Sequence, residues 1–367
     1  MKPFPTLPRL HIALLLSVVS IWTLHADITV RLSVKFILNS DGTRPLGIGT
    51  NPTFQAEVDR GNGILAATGR GFRLTVEEYL DIQPPAPAGE DPGYWFVLGA
   101  RSNRDTMENA AMADPAQWRW NTRAINIYVN NSSSGQCSFV GNGNAISLGA
   151  NIVTGTVLHE IGHFFDLRHT HAGDPDCSIA MPPFAPSDGD SLAATIDDHN
   201  CLSTRDDLSK ALFGGKVFSS LSPGELAWFN TAWLNVMSYH QEDQLLGEQM
   251  DIWAHHANNG RLFVCSGRTW FVAATGADIL AGDHAATPFA TVSRAISSVG
   301  TADDVILLRA GHYASPGTIA AACTLRATHG EVVLGSQSPA NRALTGSPTI
   351  IPFTVPSGAG RSSVGGR

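Results

Sequence analysis

The sequence predicts a mixed α/β domain over residues 27–262, followed by a smaller all-β region over 268–350. Three observations carry that division. Runs rich in β-branched residues recur in the first region, a short amphipathic stretch crowded with histidines follows them, and near residue 268 the texture changes to short apolar runs between Gly/Asp turns. The chain has 367 residues, 43% of them hydrophobic, with 36 Gly and 21 Pro, which favours turns and strands over long helices. The formal net charge is −8 and no basic stripe is present, so a nucleic-acid-binding role is excluded.

The N-terminus comes first. "MKPFPTLPRLHIALLLSVVSIWTLHAD" places Lys2 and Arg9 ahead of an apolar run from Ile12 to Leu24, with Ala26 before the expected cut. This is the pattern of a secretory signal peptide over 1–26, and it implies a secreted or periplasmic location. No later apolar run is long enough to span a bilayer. All five cysteines (Cys137, Cys177, Cys201, Cys265 and Cys323) follow that segment. In an exported protein they can pair, and Cys177–Cys201 is the first expectation. Asn130 and Asn131 each head an N-x-Ser sequon.

Next come the framework elements. "DITVRLSVKFIL" (27–38) partly alternates and reads as a strand. The stretch from Phe54 to Ile82 reads as a helix and then a strand. Prolines at 84, 85 and 87 make 83–93 a surface loop, and "RAINIYVNN" (123–131) alternates as a further strand. Residues 171–203 are rich in Asp, Pro, Gly and Ser and read as a long loop.

Between these lies "LHEIGHFFDLRHTHAG", which holds four of the thirteen histidines. On a helical wheel for 154–165, Val157, Leu158, Ile161, Phe164 and Phe165 share one face, and His159 and His163 share the other. Thr154 is the expected N-cap. The spacing is H-E-x-x-H, in which two imidazoles hold a zinc ion and Glu160 stands beside an activated water. A catalytic zinc wants three protein ligands and one open position, and His169 can supply the third after a turn near Asp166. His171 is a weaker alternative, expected beside the site or at the surface. His199, His240, His255 and His256 read as surface or packing residues.

The pattern H-E-x-x-H-x-x-D-x-x-H, followed downstream by "NVMSYH" (235–240), resembles the metzincin zinc endopeptidases, whose motif is H-E-x-x-H-x-x-G-x-x-H with a methionine turn. The "HTH" after the third ligand, the "NVMSY" form and "GQCSFVGNG…ISLG" before the helix look most like the pappalysin-like (cytophagalysin) branch. The resemblance covers about residues 30–260. It implies a metzincin-like catalytic domain with His159, His163 and His169 as zinc ligands and Glu160 as the general base. It also implies Met237 as an apolar floor and Tyr239 as a group near the oxyanion. Asp166 departs from the family's Gly; Asp tolerates a positive φ better than most residues and can make the turn, and its carboxylate also lies close enough in sequence to support the site. The resemblance further implies calcium near the loop holding Asp174, Asp176, Asp188, Asp190, Asp197 and Asp198, although no EF-hand spacing is present.

Last comes the C-terminal region. "TWFVAATGADILAGDHAATPFATVSRAISSVGTADDVILLRAGHY" resembles the opening of right-handed parallel β-helix domains. Thr287, Pro288, Phe289 and Thr291 lead into a short helix, and Asp304, Ile306, Leu308, Gly311 and Tyr313 mark the next strand. The resemblance implies a partial solenoid with a role in polysaccharide or cell-surface contact, and residues 351–367 read as a flexible tail. Two functions follow as expectations: a secreted zinc endopeptidase acting on proteins or peptides, or a non-catalytic surface-binding protein with a zincin-like domain.

Overall fold

The computed structural model describes residues 27–98, 103–132, 135–137, 143–152, 154–171, 189–196, 202, 204–240, 243–316, 318–319 and 321–335. The expected signal peptide, the Cys177–Cys201 pairing, most of the Asp-rich loop, His199 and the tail lie outside them. Among the described residues no helix is long and apolar enough to cross a membrane.

The elements run β1 (Ile28–Ile37), α1 (Asn51–Ala67), β2 (Phe72–Ile82), α2 (Tyr94–Val97), α3 (Asn103–Ala113), β3 (Ile125–Asn130), β4 (Gly135–Cys137), β5 (Ala145–Gly149) and α4 (Thr156–Phe164). After them come α5 (Arg205–Leu212), α6 (Pro223–Trp233), α7 (Gly247–Asn258), β6 (Thr269–Val272), α8 (Val292–Ser298), β7 (Val305–Tyr313) and β8 (Thr324–Leu334). The chain is thus a mixed α/β protein with a five-stranded sheet in the order β2-β1-β3-β5-β4. The pairs β1/β2, β1/β3 and β3/β5 are parallel, and the short edge strand β4 runs antiparallel to β5.

The alternation of β1 explains its central place. Ile28, Val30, Leu32, Val34 and Phe36 point to one face and pack with Phe54 and Val58 of α1 and with Val157, Leu158 and Ile161 of α4. The other face is covered as well, by Trp95, Met107 and Trp118 around Ile37 and Tyr128. A parallel sheet covered on both sides reads as a near-continuous buried strand, which is why Ser33 and Lys35 are also fully buried. Lys35 is kept by hydrogen bonds to Ser33 Oγ (2.5 Å) and Asn126 Oδ1 (2.6 Å), and burial lowers its pKa to about 7.

α1 starts as its sequence dictates. The Thr50 hydroxyl accepts from the Thr53 amide, and Pro52 sits in the first turn, where a missing N–H costs nothing. Asn130 is fully buried and its amide donates to the Leu98 carbonyl (2.6 Å), so that sequon is not a glycan acceptor.

The C-terminal region forms a second, three-stranded parallel sheet in the order β6-β7-β8. Thr291 caps α8, its hydroxyl accepting from the Arg294 amide. Phe271, Val305 and Leu307 belong to the same apolar cluster as β1. Asn258 at the end of α7 bonds both backbone groups of Thr269, at 2.8 and 2.7 Å, and so ties β6 to the first domain.

Candidate metal centre

α4 lies across the sheet with every residue from Val157 to Phe164 buried. His159 and His163 share a face as the wheel predicts, but that face is not open. It is instead roofed by two segments, 167–171 and the turn at 235–239, which a helical wheel has no means of showing. The start of the helix also differs from expectation. Thr154 does not cap it; Gly155 does, at φ 95°, and its amide donates to Glu57 of α1 (2.8 Å). The orphan donor finds a partner 98 residues away in sequence, out of reach of any local signal.

The end of α4 is a Schellman turn. The Leu167 amide donates to the Gly162 carbonyl (3.0 Å) and the Asp166 amide to the His163 carbonyl (2.9 Å). Asp166 sits at φ 66°, the left-handed conformation for which Gly is the usual choice. Its carboxylate faces His256 Nε2 of α7 at 3.4 Å.

That turn returns the chain toward the helix and brings three imidazoles together. The Nε2 atoms of His159, His163 and His169 form a triangle with sides of 3.1, 3.0 and 3.2 Å. Tetrahedral ligands at 2.0–2.1 Å from a zinc ion stand about 3.3 Å apart, so the triangle matches to within a few tenths of an ångström. The outer nitrogens fix the tautomers. His159 Nδ1 donates to the Val236 carbonyl and His163 Nδ1 to the Leu167 carbonyl, both at 2.7 Å. With the protons on Nδ1, these two rings turn Nε2 lone pairs toward the centre. Convergent lone pairs at this distance repel unless a cation sits among them. Burial lowers the pKa of His159 to about 4 and that of His163 to about 3, so both are neutral at pH 7, as ligands must be. This group of three can hold a metal ion.

The turn that follows α6 builds the rest of the site. Asn235 holds it: its Oδ1 accepts the Met237 amide (2.9 Å) and the Gln249 side chain (3.1 Å), and its amide donates to the Thr231 carbonyl (3.0 Å). Met237 is fully buried. A Cβ built on Gly162 would stand 2.6 Å from the Met237 sulfur, so the methionine lies directly on the helix backbone between the two histidines. The Thr170 amide donates to the Met237 carbonyl (3.3 Å) and pins the segment carrying His169.

Tyr239 packs edge-on against His169 at 4.7 Å and against His171 at 4.6 Å, with 43% of its surface exposed. His171 is buried and stacks flat on His169 at 4.7 Å, so it stands beside the triangle and outside it. His240 stacks on Trp233 at 4.0 Å, and burial lowers its pKa to about 4. Of the expected calcium group, Asp190 is the one described residue; its Oδ1 accepts from the Leu192 amide and the Thr195 hydroxyl.

Glu160 is buried, and desolvation raises its pKa to about 8. A cation in the neighbouring triangle favours the charged carboxylate and draws that value down. Its side chain rests on β4: a Cβ at Gly135 would come 2.5 Å from Oε1. Gly135, Gly162, Asn235 and the Val236 and Leu167 carbonyls are the parts that the motif reading passed over. The glycines were visible as letters inside the motifs, but their reason is a long-range contact.

No family model matches the chain, and no curated protein matches it. Among solved structures, one described as "Structure of a chaperone-substrate complex" is similar at 13% identity and a TM-score of 0.29, over 56% of this chain and 34% of that one. The chain therefore spans about a third of the length of that structure.

Proposed function

We propose that the chain is a secreted zinc-dependent endopeptidase of metzincin type, with the motifs of the pappalysin-like branch and the first turns of a parallel β-helix appended. The observation that carries the reading is the triangle of Nε2 atoms 3.0–3.2 Å apart, with two of its rings locked by carbonyls in the metal-binding tautomer. His159, His163 and His169 would hold zinc, which when bound supplies a Lewis acid that acidifies water and polarises a carbonyl.

The chain's own groups do the rest. Glu160 takes the proton of the attacking water and delivers it to the departing amine. Its burial against Gly135 keeps bulk water from competing for that proton. β4 ends the sheet, so an extended peptide can add along its outer side and pass the carboxylate. Tyr239, beside His169 and partly exposed, supplies a hydroxyl toward the developing oxyanion. Asp166 makes the turn that delivers His169, and His171 packs that ligand in place. Calcium in the Asp-rich loop, and polysaccharide or cell-surface contact through the C-terminal sheet, belong to the same proposal and rest on resemblance alone.

The test compares wild type and Glu160→Ala on casein with one equivalent of zinc. The account expects chelator-sensitive cleavage by wild type. It expects a loss of at least about 10²-fold in the variant, with zinc content unchanged. Equal cleavage by the variant would refute Glu160 as the base. Stoichiometric zinc without any cleavage by wild type would favour the surface-binding role.

A further inference from the structure

Arg261 lies 24 residues beyond Met237 and belongs to no motif. Only 2% of its surface is exposed, which for an arginine calls for an explanation in partners. Its guanidinium lies 3.8 Å over the Phe164 ring. Nε donates to the Phe164 carbonyl (3.0 Å), one of the acceptors left over where α4 ends. Nη1 donates to the Gly143 carbonyl (2.7 Å) and to Asn144 Oδ1. Those two residues lead directly into β5, the strand on which β4 is paired through Cys137 and Ile146.

The same corner is held from its other side. The buried Glu108 of α3 accepts the Asn144 amide and is paired with Arg104 at 3.1 Å. A Cβ on Gly143 would collide with the Glu108 carboxylate, so the corner is seated between an anion and a cation. Arg261 thus joins the last turn of the helix carrying His159, Glu160 and His163 to the strand pair whose edge member rests on Glu160.

We propose that Arg261 is a positioning residue, which fixes the distance between the Glu160 carboxylate and edge strand β4. This rests on the endopeptidase reading for its catalytic consequence, but the positioning itself does not. A methionine keeps the stem and removes the hydrogen bonds to Phe164, Gly143 and Asn144. β4 then moves relative to Glu160 without any change in the metal ligands. Displacements of about 1 Å cost on the order of 10²-fold in rate when they fall at a reacting centre.

The experiment compares wild type, Arg261→Met, Arg261→Lys and Asn144→Ala. It has two readouts: steady-state cleavage with zinc bound, and the alkylation rate of Cys137 followed by peptide mass mapping. Cys137 sits on β4, next to Glu160 and Arg261, and reports the strand without needing activity. The expected result is a fall of about 10- to 100-fold in kcat for Arg261→Met, with zinc affinity and KM within about twofold of wild type. Arg261→Lys, which can still reach one carbonyl, recovers part of that loss, and Cys137 alkylation accelerates in the order Lys, then Met. If Arg261→Met does not fold, Asn144→Ala removes only one acceptor and carries the same two readouts with smaller changes. Folded variants with wild-type kcat and wild-type Cys137 alkylation overturn the proposal. Absence of cleavage by zinc-loaded wild type overturns the endopeptidase reading instead, and the Cys137 rates still decide the positioning.

Discussion

The described residues crowd histidines in two places, with opposite hydrogen bonding at the outer nitrogen. At the first, His159 and His163 donate from Nδ1 to backbone carbonyls and turn bare Nε2 atoms inward with that of His169. At the second, where α7 meets the C-terminal region, His255 and His284 lie 4.6 Å apart and His256 stands 5.0 Å from His255. There His255 Nδ1 accepts from the Asn259 amide (3.2 Å) and His284 Nδ1 accepts from the Ala286 N–H (3.1 Å). Accepting at Nδ1 places the proton of each neutral ring on Nε2, which therefore cannot ligate. Histidine density is the same signal in both regions. The two clusters differ in the direction of the hydrogen bond at the outer nitrogen.

The largest effect expected from breaking this contrast is on metal affinity. His169→Ala should weaken zinc binding by more than about 100-fold, since losing a supporting hydrogen bond alone costs 10- to 100-fold. The double change His255→Ala with His284→Ala should leave it within about twofold. Competition against a chromophoric chelator reads both; zinc held at full affinity by His169→Ala would undo the assignment.

Acid sharpens the comparison next. The folded-state pKa values of His159, His163 and His240 are lowered from 6.5 to about 4, 3 and 4. The unfolded chain takes up protons from about pH 6.5 downward while the folded one does not. The contribution of these three groups to the stability of the metal-free protein is therefore fully present above pH 6.5 and is lost as pH falls toward 4 and then 3. Glu160, raised to about 8 by burial, opposes it in part, because its folded carboxyl takes up a proton well before the unfolded one does. His159 and His163 each contribute a slope of up to about 1.4 kcal/mol per pH unit, and the partly exposed His240 contributes less. Thermal unfolding of the metal-free protein between pH 7.5 and 4.5 should show Tm falling throughout the lower part of that range. A flat profile would mean that the imidazoles are not buried as described.

Smaller effects come from the backbone that holds the triangle. Gly162→Ala drives a methyl into the Met237 sulfur, and overpacking of this kind costs about 1–3 kcal/mol, readable by denaturant titration. Asp166→Gly relieves a positive φ and removes the pair with His256, two changes that oppose each other. Stability should move by less than about 1 kcal/mol and zinc content should stay at wild type. Loss of zinc in that variant would assign the Asp166 carboxylate a direct part in the site.

How far the sequence could be read follows from where each cause lies. β1 and β3 were legible because their alternation is local, and the β6–α8–β7 succession because Thr291 and the Gly/Asp turns are local too. The grouping of His159, His163 and His169 was legible because a helix turn and a Schellman turn fix their spacing. α2 and α3 gave no such signal: Trp95 and Met107 show a purpose only once the second face of the sheet exists to be covered. The cap at Gly155 depends on Glu57, the shape of the floor on Gly162 meeting Met237, and the setting of β4 on Arg261 meeting Asn144. Each is a contact between segments far apart in the chain.

The proposed metal site is the one triangle of imidazoles, and not the other cluster. Zinc-edge X-ray absorption on protein loaded with one equivalent of zinc tests it most directly. Three imidazole nitrogens at about 2.0–2.1 Å plus one oxygen ligand are expected, with the spectrum unaltered by the His255→Ala, His284→Ala double change. A spectrum that changes with that double variant, or one lacking imidazole scattering in wild type, would contradict it.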